Sequence, residues 1–181
     1  AQESGEKIVG LVKRNILPRT IARREAFDKA IKVDMALGGS TNTSLHIPAI
    51  AYEAGIELQI SVFDAISRKT PHICNMLPGG QHYLEDLDAA GGIPGVLSRF
   101  VSDLKPSPTV SGKSIMALAK AGRVRNADVI RPLDKAYHRE GGIAVLSGNL
   151  APKGSVIKQT AVSENMMQFE GTAIVFDSEE D

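Results

Sequence analysis

Apolar residues recur every three or four positions through the first 120 residues, which is the spacing of one buried helix face. On this spacing we predict helices over residues 2–14, 23–37, 41–54, 60–68, 83–90, 93–101 and 112–121. Glycines follow several of these segments, as is common at helix ends. The first 120 residues are therefore predicted to be mainly helical.

The pattern changes after about residue 122, where short β-like runs replace the helical spacing. We predict strands at residues 143–146, 155–160 and 172–176, and an extended segment at residues 72–77 between two prolines. Glycines and asparagine between the runs indicate turns. The sequence thus predicts a helical module over residues 1–122, a linker over 123–140 and the start of a β-rich module over 141–181. We expect an α/β protein.

Two glycines and three small polar residues stand between the second and third predicted helices. They are Gly38, Gly39, Ser40, Thr41 and Asn42. Glycines allow a sharp turn, and Ser, Thr and Asn are preferred caps of a helix N-terminus. Leu45, Ala49 and Ile50 follow at helical spacing. Such a turn exposes backbone N–H groups that suit a carboxylate or phosphate, although the same residues also fit an ordinary capped helix.

The composition excludes several classes of protein. Hydrophobic residues make up 43% of the chain, enough for a packed core, and 21 basic residues balance 21 acidic ones. A neutral chain with few aromatic residues argues against a nucleic-acid binder. No apolar run is long enough to span a bilayer, and the first residues do not resemble a signal peptide. We expect a cytoplasmic protein without nucleic-acid or membrane partners.

The single cysteine, Cys74, lies between apolar neighbours, so we expect a small buried side chain rather than a nucleophile. It cannot form an internal disulfide, which fits a reducing compartment. The histidines are His46, His72, His82 and His138, and none has the spacing of a metal-ligand pair. We expect His46 to be a hydrogen-bonded core or interface histidine.

Two further patterns do not amount to sites. Residues 110–114 (VSGKS) match the end of a phosphate-binding loop, but Ser107 stands where the pattern needs glycine. We expect a loop there, with Ser111 or Gly112 opening a helix. The acidic clusters at residues 85–88 and 177–181 lack the alternation of a calcium loop. The residues alone therefore predict no catalytic residue, no metal ligand and no complete active site in this chain.

Two features suggest an internal piece of a longer protein. The chain begins with Ala1 in what looks like a helix, and it ends in an acidic segment typical of a helix's first turn, directly after the strand-like residues 172–176.

Several long segments resemble the middle of dihydroxy-acid dehydratases, a family that also includes sugar-acid dehydratases such as phosphogluconate dehydratase. They are residues 33–42 (VDMALGGSTN), 66–71 (ISRKTP), 85–94 (EDLDAAGGIP), 130–134 (IRPLD), 141–152 (GGIAVLSGNLAP) and 175–180 (VFDSEE). The sequences of these segments are more similar to the dihydroxy-acid enzymes than to the phosphogluconate branch. Many ordered matches are more specific than one short motif.

The resemblance implies a parent hydro-lyase that converts 2,3-dihydroxy acids to 2-oxo acids in branched-chain amino-acid (isoleucine and valine) biosynthesis. It implies an iron–sulfur cluster and Mg²⁺ in that parent, a dihydroxy-acid substrate and a homodimer. It also implies that these residues end an α/β domain and begin a β-barrel-like domain. The family's cluster cysteines, magnesium ligands and serine base fall outside this segment, and Cys74 matches none of its cluster motifs. We therefore expect the chain alone to be inactive and to bind neither cofactor.

The turn at residues 38–42 is the remaining candidate, and we place it near the substrate or cofactor pocket as a hypothesis. Three alternatives stay open: a sugar-acid dehydratase of the same family, a non-catalytic anion-binding module, and a purely structural piece.

Overall fold

The computed structural model describes residues 2–181, in which eight α-helices precede one small sheet. The helices are α1 (Gln2–Lys13), α2 (Pro18–Ile21), α3 (Arg24–Ala36), α4 (Thr43–Glu53), α5 (Ser61–Ser67), α6 (Leu84–Ala90), α7 (Gly92–Ser98) and α8 (Ile115–Ala121). The strands are β1 (Ile143–Leu146) and β2 (Ser155–Lys158). All seven predicted helices are present, and α2 is additional. The mixed α/β character is confirmed.

Helix α3 is central because its apolar positions fall on one face. Phe27, Ile31 and Met35 are spaced by four residues and all are buried. They pack in one cluster with Phe63 of α5 and Ile143 of β1. Full burial of each such side chain contributes about 1.5–3 kcal/mol. This cluster places the end of α3 beside the sheet.

A second cluster lies under the extended segment that was predicted at residues 72–77. Ile73 and Cys74 are fully buried there, against Leu87 of α6 and Val96 of α7. The N–H groups of Ile73 and Cys74 both donate to the carbonyl of Ala36, at 2.9 and 3.0 Å. The segment is thereby held against the end of α3.

Strands β1 and β2 pair antiparallel, with Ile143 opposite Lys158. The third predicted strand, at residues 172–176, is wrong for this structure: it has no strand, and Ile174 and Val175 are exposed. A strand needs a neighbour for its backbone hydrogen bonds, and no strand pairs with this segment among residues 2–181. The described residues form no closed barrel.

Two local predictions also need correction. Leu45 and Ile50 follow at helical spacing, but this spacing does not mark a buried face of α4, because their side chains are 72% and 58% exposed. Apolar residues lie on nearly every side of α4, so spacing did not identify the face that packs, which carries the buried Ala51. Helix α8 is opened by Ser114 rather than Ser111 or Gly112, because the Ser114 side chain accepts from the Met116 N–H.

None of the helices formed by residues 2–181 combines the length and apolar character that crossing a bilayer requires.

Candidate functional site

Residues 38–42, called here the glycine turn, connect α3 to α4. Gly38 and Gly39 have φ values of +97° and +69°, which side-chain-bearing residues rarely adopt. A Cβ at Gly38 would lie 2.8 Å from Nε2 of His72, and one at Gly39 would lie 2.6 Å from Cγ1 of Ile143. Glycine is therefore needed for both the backbone conformation and the close packing.

The expected side-chain caps are absent from the glycine turn, which corrects the sequence prediction. Asn42 occupies the cap position of α4 with φ −61° and ψ −34°, and its side chain accepts no cap hydrogen bond. A capping side chain requires an extended backbone at that position. The turn instead enters α4 already helical, so the N–H groups of Thr43 and Ser44 bond to the carbonyls of Ser40 and Thr41.

Asp34, on the last turn of α3, takes over the stabilising role. Its Oδ2 accepts from the Thr43 hydroxyl at 2.7 Å and from the Ser40 N–H at 3.4 Å. Burial raises the pKa of Asp34, while the hydrogen bonds from Thr43 and Ser40 and the charge of Lys158 oppose that rise. A carboxylate supplied by the chain thus sits beside the start of α4, as the dipole favours.

Two backbone donors of the glycine turn remain free. The N–H of Gly39 donates to the carbonyl of Asp34, and that of Ser40 to its carboxylate. The N–H groups of Thr41 and Asn42 have no acceptor within residues 2–181, and both residues are exposed. Two adjacent free donors are the local feature that an anionic ligand requires.

The hairpin fixes the glycine turn from the other side. Lys158 Nζ donates to the Gly39 carbonyl at 2.9 Å, and Thr160 Oγ1 donates to the Gly38 carbonyl at 3.2 Å. A Cβ on Gly142 would overlap the carbonyl of Gly38. The sequence analysis missed these residues because nothing local links positions separated by more than one hundred residues.

His72 lies directly behind the glycine turn and is fully buried. Its Nε2 is 2.8 Å from the Cys74 carbonyl, and its Nδ1 is 2.8 Å from Nδ1 of His138. Burial lowers the pKa of His72 to about 4, and the charges of His138 and Lys158 act in the same direction. His72 is therefore neutral at physiological pH.

The other singled-out residues lie elsewhere or play other roles. His46 is exposed on α4, so it is not a core histidine, and the alternative of an interface histidine stays a prediction. Cys74 is buried, as predicted, and burial raises the pKa of its thiol to about 12. A cavity of about 270 Å³ lies beside the hairpin, lined by residues that include His138, Arg139 and Thr160.

The donor set does not fit either cofactor that the sequence resemblance implied. Among residues 2–181, no three His, Cys, Asp or Glu side chains come together in a way that could hold a metal ion. A cluster requires deprotonated thiolates, whereas the single thiol here is buried and held protonated. No chemical step can be assigned to a metal on these residues.

Comparison with known proteins gives a consistent result over the whole chain. The family model described as dihydroxy-acid/6-phosphogluconate dehydratase N-terminal matches residues 1–118, and the corresponding C-terminal model matches residues 128–181. A dihydroxy-acid dehydratase of Thermodesulfovibrio yellowstonii is 59% identical over 180 residues, which is 99% of this chain and 33% of that protein. Those of Pelobacter propionicus and Geobacter sulfurreducens are each 55% identical, over 98% of this chain and 32% of theirs. The chain spans about a third of the length of these curated relatives.

Proposed function

Because the chain belongs to the dihydroxy-acid/6-phosphogluconate dehydratase family, we propose that it is a segment of a dihydroxy-acid dehydratase. That enzyme is a hydro-lyase that converts a 2,3-dihydroxy acid to a 2-oxo acid. The proposal is supported by similar relatives that carry this name and by the coverage of nearly the whole chain. We assign the parent enzyme to isoleucine and valine biosynthesis in the cytoplasm, acting as a homodimer.

The iron–sulfur cluster and Mg²⁺ of the parent enzyme are held by residues outside this chain. In support of this assignment, residues 2–181 bring together no three His, Cys, Asp or Glu side chains that could hold a metal ion. Residues 1–122 end the first domain, residues 123–140 link the two, and residues 141–181 begin the second. The two family models meet between residues 118 and 128, which supports an end of the first domain near residue 122, and the second model already begins within the linker.

The glycine turn contributes to the substrate or cofactor pocket of the parent enzyme. The observation that carries this assignment is the pair of free N–H groups on the exposed residues Thr41 and Asn42. Their geometry is fixed from behind by Asp34 and Lys158. A rigid turn with two free donors is suited to hold an anionic group such as a carboxylate.

Asn42→Leu in the full-length protein tests this role. We expect turnover of a 2,3-dihydroxy acid to fall at least tenfold, with the thermal midpoint unchanged, because the Asn42 side chain makes no hydrogen bond within residues 2–181. Asn149→Leu is the matched control, since Asn149 is also exposed but lies in the hairpin turn. Normal turnover in Asn42→Leu would show that the glycine turn is only structural.

Substrate choice separates the two branches of the family. We expect the full-length protein to form a 2-oxo acid from a branched 2,3-dihydroxy acid in preference to 6-phosphogluconate. The reverse preference would establish the sugar-acid branch. We expect the 181 residues alone to dehydrate neither compound, and detectable turnover by them would overturn the assignment of the metal ligands to other segments.

A non-catalytic anion-binding module is the second candidate, favoured by the same two free N–H groups. Titration of the chain with 2-oxo acids and with sugar phosphates distinguishes it. Saturable binding to the isolated chain, with spectral changes at Thr41 and Asn42, would support a self-sufficient binding site. We expect no saturation, because two donors without a cationic partner give little affinity.

A further inference from the structure

The two histidines behind the glycine turn are joined by their backbones as well as by their rings. The His72 N–H donates to the carbonyl of His138 at 3.0 Å, and the Tyr137 N–H donates to the carbonyl of His72 at 2.8 Å. The two imidazole rings are parallel to within 1°. This pairing fixes the ring nitrogens in a defined register, so their protons can be assigned from the partners.

The proton on His72 follows from its carbonyl partner. Nε2 lies 2.8 Å from the Cys74 carbonyl, which only accepts hydrogen bonds, so Nε2 carries the proton. The side chain is 1% exposed and hydrogen-bonds to no carboxylate, so burial favours the neutral ring. A neutral ring with a proton on Nε2 has its lone pair on Nδ1.

The proton on His138 follows in turn. His138 Nδ1 lies 2.8 Å from His72 Nδ1, the nitrogen that carries the lone pair, and one of the two nitrogens must donate. His138 is therefore the donor. We infer that His72 fixes the proton of His138 on Nδ1 and so presents His138 Nε2 as a hydrogen-bond acceptor and base. His72 is the positioning residue in this pair.

A cavity lies beside His138. His138 is exposed and lines the cavity of about 270 Å³ beside the hairpin, and within residues 2–181 no group bonds its Nε2. Arg139, Glu140 and Glu164 are the charged residues that line the same cavity. A group that binds Nε2 must offer an O–H or N–H. The cavity therefore suits a ligand that brings an O–H or N–H group to His138 Nε2.

Nitrogen-15 NMR of the ring nitrogens tests the tautomer directly. In long-range ¹H–¹⁵N spectra at pH 7.5, we expect the Nδ1 of His138 to show the shift of a protonated nitrogen and Nε2 that of an unprotonated one. The exposed His46 provides the comparison, and His138→Gln assigns the signals. A protonated Nε2 on neutral His138, or equal averaged shifts for its two nitrogens, would overturn the inference.

Two substitutions separate positioning from simple packing. His72→Asn keeps an oxygen near the position of Nδ1, so we expect His138 to remain in the Nδ1–H form. His72→Gln keeps a donor to the Cys74 carbonyl but removes the acceptor from the position of Nδ1, so we expect His138 to shift toward the Nε2–H form. Unchanged His138 signals in a folded His72→Gln would contradict the positioning role. Should that variant not fold, the wild-type spectrum decides the question alone.

Discussion

Thr43 Oγ1 donates a hydrogen bond of 2.7 Å to Oδ2 of Asp34, which ties the first turn of α4 to the last turn of α3. The same oxygen accepts from the Ser40 N–H, so one carboxylate oxygen serves a donor of the glycine turn and a donor of α4. The other side of the turn is held by Lys158. The conformation of the turn is therefore set by charged residues outside it rather than by its own hydroxyl and amide side chains.

Replacing Asp34 tests which property of its side chain the turn needs. Asp34→Asn retains one oxygen for both donors, and it removes a charge whose burial is unfavourable. We expect its free energy of unfolding at pH 7 to stay within about 1 kcal/mol of the wild type. Asp34→Ala leaves the Ser40 N–H without its acceptor and leaves the Thr43 hydroxyl only the Ser40 carbonyl, so it should cost about 1–3 kcal/mol. Urea unfolding measures both.

The pH dependence provides a second readout of Asp34. Since its folded-state pKa is raised, the ionised form is disfavoured by folding, and stability falls as pH rises from the unfolded pKa through the folded pKa. Asp34→Asn should remove this loss of stability with rising pH. An equal loss of stability in Asp34→Asn and Asp34→Ala would show that the charge, not the hydrogen bonding, holds the turn.

The helices were predictable because their information is local. Spacing placed α3 within one residue at each end, since Phe27, Ile31 and Met35 repeat at four. Residues 172–176 were mispredicted for the opposite reason: their composition favours a strand, but a strand depends on a partner. The exposure of Leu45 and Ile50 on α4 did not follow from their spacing, because the apolar residues of this helix are not confined to one side.

The site was predictable only in part. The glycine turn was located correctly because paired glycines before polar residues are a local signal of a turn. The residues that hold the turn in place were not predicted. Lys158 and Thr160, which bond to it, are 119 and 122 positions away along the chain. Asp34 was missed because a single acidic residue in a helix gives no signal of what it binds. The placement of the glycine turn near a pocket stays a prediction.

Gly142→Ala tests the close approach of the hairpin to the glycine turn. The added Cβ would overlap the carbonyl of Gly38, so the strand or the turn must move. We expect the free energy of unfolding to fall by about 3 kcal/mol. Gly148→Ala is the matched control, because a Cβ there meets nothing within 4 Å. Similar stabilities for the two variants would show that the hairpin adjusts freely.

The exposed apolar residues of α4 predict self-association of the chain. Leu45, Ile50 and Tyr52 are 72%, 58% and 79% exposed on a helix of this length. Large apolar side chains left exposed on a helix can contribute to a protein–protein interface. We expect light scattering to show dimers or larger species at high protein concentration, and the double variant Leu45→Glu and Ile50→Glu to reduce them. Gln59→Glu, an exposed charge change outside α4, controls for net charge. Equal association in all three proteins would place the contact elsewhere.

Acidification should destabilise the chain through His72. Because burial holds its folded-state pKa at about 4, well below the value of 6.5 for a free side chain, protonation favours the unfolded state. The stability that His72 contributes is present above pH 6.5 and is lost as pH falls toward 4, by up to roughly 3 kcal/mol. Asp64 and Asp103, whose pKa values are lowered by Arg68 and Lys32, act in the same direction at lower pH.

The difference in the free energy of urea unfolding between wild type and His72→Gln, measured at pH 7 and at pH 5, isolates the contribution of His72. The control variant His46→Gln should leave the pH profile unchanged. An NMR titration that places the His72 pKa near 6.5 in the folded chain would contradict the neutral, buried ring on which this prediction depends.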